Sequence, residues 1–155
     1  MREHTITTSY REYDYAELPT DVRRLIDAAK EMTAGSYAPY SNFNVGAAIL
    51  LEDGTIVRGA NQENAAYPSG ICAERTACYQ AGALHPGVAM KRIAIAAATD
   101  GKFQKNPISP CGACRQALME YENKFGPIEV VLYGENGVYV IPSVASLLPL
   151  TFTEF

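Results

Sequence analysis

Cys72-Ala73-Glu74-Arg75 and Pro110-Cys111-Gly112-Ala113-Cys114-Arg115-Gln116 each follow a loop and open a helix-forming run. Together they supply three thiols and one carboxylate. Three thiolates can hold a zinc ion and leave the fourth tetrahedral position open for water. Cys111 and Cys114 stand at i, i+3 spacing, so both can face one ligand from the first turn of a helix. Glu74 lies two residues beyond Cys72, close enough to handle protons beside the metal. A closed structural site needs a fourth ligand, and none is evident, so an open site beside a carboxylate points to chemistry. Helix N-termini carry partial positive charge and stabilise thiolates.

Around these segments, strands and helices alternate. Pro19-Thr20 opens a first helix in which Val22, Leu25, Ile26 and Ala29 recur at helical spacing, with Gly35 as its stop. Residues 45–51 and 55–59 flank Asp53-Gly54, a hairpin signal between two apolar runs. Residues 61–71 read as a loop, 72–84 as a helix, and 91–99 as a nearly all-apolar central strand. A loop over 100–110 leads into a helix over 111–124. Strands over 128–133 and 138–141 enclose Glu135-Asn136-Gly137, and 143–148 reads as a short helix. The order α-β-β-α-β-α-β-β-α predicts an α/β fold: a mixed five-stranded sheet covered on both faces, a three-layer α/β/α domain over 18–155. Residues 1–17, with Tyr10, Tyr13 and Tyr15, read as an N-terminal extension.

The chain has 155 residues, 48% hydrophobic and 19% charged, enough for one domain with a real core. Its net charge of −4, with basic residues scattered, argues against a nucleic-acid surface and for a small neutral substrate. Met1-Arg2-Glu3-His4 begins no apolar leader, and no run approaches the length of a membrane span. Four cysteines without a leader read as metal or catalytic groups in a cytoplasmic protein, not as a disulfide framework.

The paired segments Cys-Ala-Glu and Pro-Cys-x-x-Cys resemble the zinc-dependent cytidine deaminases in their small three-cysteine form. That resemblance runs from about Leu18 to Phe152. It implies one zinc per chain on Cys72, Cys111 and Cys114, and a non-ligating Glu74 that moves protons between water and the pyrimidine. It implies hydrolysis of cytidine and deoxycytidine, with loss of ammonia, in pyrimidine salvage. In the family, the arginine after the glutamate, here Arg75, offsets the negative charge of three thiolates on Zn²⁺. Asn61-Gln62-Glu63-Asn64-Ala65-Ala66-Tyr67 resembles the substrate segment. Its Asn61 and Glu63 would meet the ribose 3′-hydroxyl, Ala65 would contact the base through its backbone, and Tyr67 closes the segment. Phe43 matches an aromatic that lines the base pocket, and Ala73 and Ser109 match positions whose backbone meets the reacting end of the base. Leu147-Leu148-Pro149 followed by Phe152 resembles a segment whose phenylalanine reaches a neighbour's active site, which implies a homotetramer, or a homodimer. Here Leu150-Thr151 replaces two small residues.

Each residue also has a plainer reading. Cys78 lies about 240° round the helix from Cys72 and is expected in the core. Glu74 can cap its own helix, Asn61 can cap a strand end, and Phe43 and Phe152 can be core residues. Rival functions are a deaminase of modified cytosine nucleosides or nucleoside antibiotics, a polynucleotide-editing deaminase, and a structural zinc module.

Overall fold

In the computed structural model, which describes residues 1–154, a sheet is built from β1 (Arg11–Tyr13), β2 (Asn44–Leu51), β3 (Ile56–Ala60), β4 (Met90–Thr99), β5 (Lys102–Phe103), β6 (Glu129–Gly134) and β7 (Gly137–Ile141). Three helices accompany it: α1 (Thr20–Met32), α2 (Ala73–Leu84) and α3 (Gly112–Phe125). The strand order is β1-β7-β6-β4-β2-β3, with β5 paired to β4. Only β4 and β6 run parallel, joined through α3; every other pairing is antiparallel.

Alternation along the central strands divides the core into two layers. Ala47, Ile49, Ile93, Ile95, Ala97, Val130 and Leu132 meet α2 and α3 through Ala77, Cys78, Ala81, Leu118 and Met119. On the opposite face, Ala48, Ala94, Ala96 and Val131 meet Leu25, Ile26 and Ala29 of α1. Small residues let the helices settle close to the sheet. A Cβ at Gly59 would lie 2.5 Å from the Ala73 carbonyl, so only glycine lets the first turn of α2 rest on β3.

The α/β/α layering agrees with the expectation, but the sheet has seven strands, not five. The two extra strands are short. β1 lies within the polar extension and has no apolar alternation of its own. It exists because the β7 edge offers pairing groups: Arg11, Glu12 and Tyr13 oppose Val140, Tyr139 and Val138. β5 returns after Asp100-Gly101, which takes φ of 52° and 73°. That Asp-Gly pair is a turn signal of the same kind as Asp53-Gly54. The expected helix over 143–148 is a single 3₁₀ turn, Ala145–Leu147. No helix among the described residues is long and apolar enough to cross a membrane.

The C-terminal turn is tied to α3 at several points. Glu122, only 7% exposed, accepts backbone N–H bonds from Ile128 and Val144 on one oxygen and from Ala145 on the other, at 2.8, 2.8 and 2.9 Å. Arg115 donates to the carbonyls of Pro110 and Leu147 at 2.8 and 2.7 Å. Gln116 donates to the Phe152 carbonyl at 2.8 Å.

Candidate metal centre and substrate cleft

Cys72 and Cys111 occupy the N-cap positions of α2 and α3, both with extended backbone. Each carbonyl already accepts the first helical bond, from Thr76 and Arg115 at 3.0 Å, and neither side chain is spent on capping. The sulfurs are therefore left to project ahead of two helix N-termini. Cys114 lies in the first turn of α3 and is buried. Sγ of Cys111 is 3.8 Å from Sγ of Cys72 and 3.4 Å from Sγ of Cys114, and all three lie within 4.8 Å of one another. These separations are too long for a disulfide. They suit ligands of one tetrahedral ion with metal–sulfur bonds of ~2.3 Å, whose sulfurs would stand ~3.8 Å apart.

Electrostatics favour thiolate at this point. A hydrogen bond from Cys114 lowers the Cys72 thiol to about 5 against the effect of burial, with Arg75 and Cys111 adding to the shift. The same contact, with burial, holds the Cys114 proton in place. Arg75 Nη2 donates to Cys72 Sγ at 3.7 Å, so the cation expected near the sulfurs is there. Its Nε is buried with no hydrogen-bond partner among the described residues. A guanidinium with this buried edge is better matched to an anionic thiolate set than to neutral thiols. Cys78 is fully buried in the core, where loss of solvation pushes its thiol up to about 12.

Cys72 and Cys111 line a cleft of about 690 Å³. Glu74, 5% exposed, also lines it, and burial raises its carboxyl above the usual range, with negative Cys72 adding to the shift. Phe43, Asn61, Glu63, Tyr67, Ala73 and Ser109 line the same cleft, so most of the expected site residues converge. Ala65 does not line it and is exposed. Phe152 lies away from its own chain's cleft and is 66% exposed, which removes the core reading for it. Leu150, two residues before it, takes φ of 54°, a left-handed conformation uncommon for any residue but glycine.

Two polar residues have structural partners that local spacing does not reveal. Asn61 accepts from the Ser36 hydroxyl at 2.6 Å and the Val45 N–H at 2.8 Å, and donates to the Phe43 carbonyl at 2.9 Å. It therefore does cap the strand ends beside the cleft. Glu63 accepts from the backbone N–H groups of Tyr40 and Ser41 and from the Ser41 hydroxyl. These bonds, the hydroxyl's first, hold its carboxyl below the usual range. Tyr40, Ser41 and Ile108, which the sequence reading passed over, also line the cleft. The one local signal for them is the turn chemistry of Ser41-Asn42, where Asn42 takes φ of 54°.

A family model described as the cytidine and deoxycytidylate deaminase zinc-binding region matches residues 19–130. The chain belongs to this deaminase family. It is 45% identical over 135 residues to a cytidine deaminase of Sporosarcina psychrophila, covering 86% of this chain and 93% of the relative. It is 42% identical over 135 residues to a cytidine deaminase of Halalkalibacterium halodurans, covering 86% and 95%. Among solved structures, the cytidine deaminase of Burkholderia pseudomallei superposes with a TM-score of 0.71 at 45% identity, over 83% of this chain and 97% of that one. The Mycobacterium tuberculosis cytidine deaminase superposes at 0.69 and 31% identity, over 88% and 100%. The donor set fits the zinc that the family binds: three cysteines, one site per chain. The deaminase fold thus places its metal set where two helices begin on one face of the sheet.

Proposed function

We propose that the chain hydrolyses cytidine and deoxycytidine to uridine and deoxyuridine, releasing ammonia. The observation that carries this reading is the three-thiol set with buried Glu74 beside it, bordering a cleft that Glu63 also lines. Cys72, Cys111 and Cys114 would hold the zinc. Bound there, zinc supplies the Lewis acidity that makes a water nucleophilic near neutral pH.

The protein's own groups do the rest. Glu74 takes one proton from the attacking water and delivers it to the ring nitrogen N3, then takes the remaining proton from the new C4 hydroxyl and delivers it to the departing amine. The water oxygen bonds to C4, the C4–N4 bond breaks, and nitrogen leaves as ammonia. A carboxyl raised by burial suits this traffic, because it can both hold and release a proton. Arg75 offsets the negative charge of the thiolates. Phe43 lines the base, Asn61 and Glu63 address the sugar, and Ala73 and Ser109 contribute backbone contacts. Tyr67, which lines the cleft, adds a substrate contact, and the exposed Phe152 supports assembly as a homotetramer, or a homodimer, in which it completes a neighbour's site. The acidic balance supports a free nucleoside over a polynucleotide substrate, consistent with cytoplasmic pyrimidine salvage.

The test is an absorbance assay against a nucleoside panel with zinc measured on the same sample. Glu74→Gln should keep zinc and fold but lose at least ~10²–10⁴-fold in turnover. Near-native turnover in that variant would reassign Glu74 to helix capping.

A further inference from the structure

One hydroxyl links Glu63 to the backbone of Phe43. Ser41 Oγ accepts the Phe43 backbone N–H at 3.0 Å and donates to Glu63 Oε1. Because an amide donates to that hydroxyl, its single proton is committed to the carboxylate. Glu63 Oε2 takes the N–H groups of Tyr40 and Ser41 at 2.9 and 3.2 Å. All three donors to Glu63 thus come from one turn. That turn is itself anchored. Asn42, in the left-handed region, donates its N–H to the Ala38 carbonyl at 3.0 Å and its side-chain amide to Asp100 at 2.5 Å. The Tyr37–Gln62 bridge keeps the two segments in register, with the Glu63 N–H on the Tyr37 carbonyl at 2.8 Å.

A carboxylate gripped by three donors is oriented before any ligand arrives. Glu63 Oε1 carries one donor and retains acceptor capacity for a second. A neutral hydroxyl satisfies that oxygen, whereas a phosphate oxygen would repel it.

We propose that Ser41 is the positioning residue for nucleoside selection. It fixes Glu63 as the acceptor of a sugar 3′-hydroxyl and, through the Phe43 N–H, registers that acceptor to the aromatic wall for the base. This rests on the nucleoside reading above.

The experiment compares deamination of cytidine and 3′-deoxycytidine by zinc-loaded wild type, Ser41→Ala, Ser41→Thr and Glu63→Gln, with zinc content and circular dichroism matched. A hydrogen bond to a carboxylate predicts a wild-type preference for cytidine of ~10–100-fold in kcat/KM. Ser41→Ala, which keeps two of the three donors to Glu63, should raise KM for cytidine more than KM for 3′-deoxycytidine and so reduce that preference ~3–10-fold. Ser41→Thr, which keeps the hydroxyl, should restore most of it. If Glu63→Gln erases the preference and Ser41→Ala leaves it whole, the Ser41 assignment is overturned while the nucleoside reading stands. If Ser41→Ala slows both substrates equally, Ser41 is a structural loop residue and the proposal fails. If Glu63→Gln keeps the preference, the sugar role of Glu63 falls and the role of Ser41 with it. A wild type inactive on both nucleosides would refute the underlying reading itself.

Discussion

Glu122→Gln removes one negative charge from the far end of α3 and should cost more stability than its distance from the cleft suggests. In the folded chain the carboxylate meets only donors: two backbone N–H groups on Oε2 and one on Oε1. A glutamine can turn its carbonyl oxygen toward Ile128 and Val144, but its amide nitrogen then faces the Ala145 N–H. Orphaning that donor costs about 2 kcal/mol, and two bonds falling from charged to neutral strength cost about 1 kcal/mol each. The total is about 4 kcal/mol, a large part of the 5–15 kcal/mol or so that holds a typical domain together. For a chain of this size that corresponds to a fall in Tm of about 12 °C. The assay is thermal unfolding followed by circular dichroism on zinc-loaded wild type and variant, with zinc content measured before heating. The three cysteines are untouched, so the metal should remain bound. A fall smaller than about 3 °C would refute the argument, since it would mean that the three N–H groups find other partners without strain.

Serine in place of Cys72, Cys111 or Cys114 should abolish zinc binding and activity together, whereas Cys78→Ser should keep the metal at about one ion per chain; zinc loss in the Cys78 variant would undo the ligand assignment. Phe152→Ala should weaken nucleoside binding by about 1–3 kcal/mol, by analogy with base stacking on aromatic platforms, and leave zinc in place. Co-assembling that variant with a Glu74→Gln chain should restore part of the binding, and verified mixed oligomers without rescue would assign Phe152 to its own subunit.

The metal set was legible because its residues are defined by identity and short spacing. Cys111 and Cys114 meet on one helical turn whatever surrounds them, and only the approach of Cys72 needed the fold. The first helix is legible in the helical spacing of Val22, Leu25, Ile26 and Ala29, and β4 in a nearly continuous apolar run that suits a strand buried on both faces. What escaped depends on contacts distant along the chain. β1 has no strand pattern of its own and is created by the edge of β7. The grip on Glu63 comes from residues 40 and 41, more than twenty positions away, through a bridge between Tyr37 and Gln62 that no local rule encodes. Asn61 shows a related limit. A side-chain amide can address a ligand or its own backbone, and only the fold reveals that Ser36, Phe43 and Val45 take up most of its capacity.

The placement of the sulfurs at the starts of two different helices also has a mechanical side. Cys72 and Cys111 are 39 residues apart along the chain, with β4 and β5 between them. An ion gripped by both is a removable staple across that loop. By chain-entropy reasoning, closing a loop of this length restricts the unfolded ensemble by about 4 kcal/mol. Bound by Cys72 and Cys111, zinc would also fasten α2 to α3. Stripping the ion would loosen that joint as well as silence the cleft, so heat tolerance and metal supply become linked properties of one molecule.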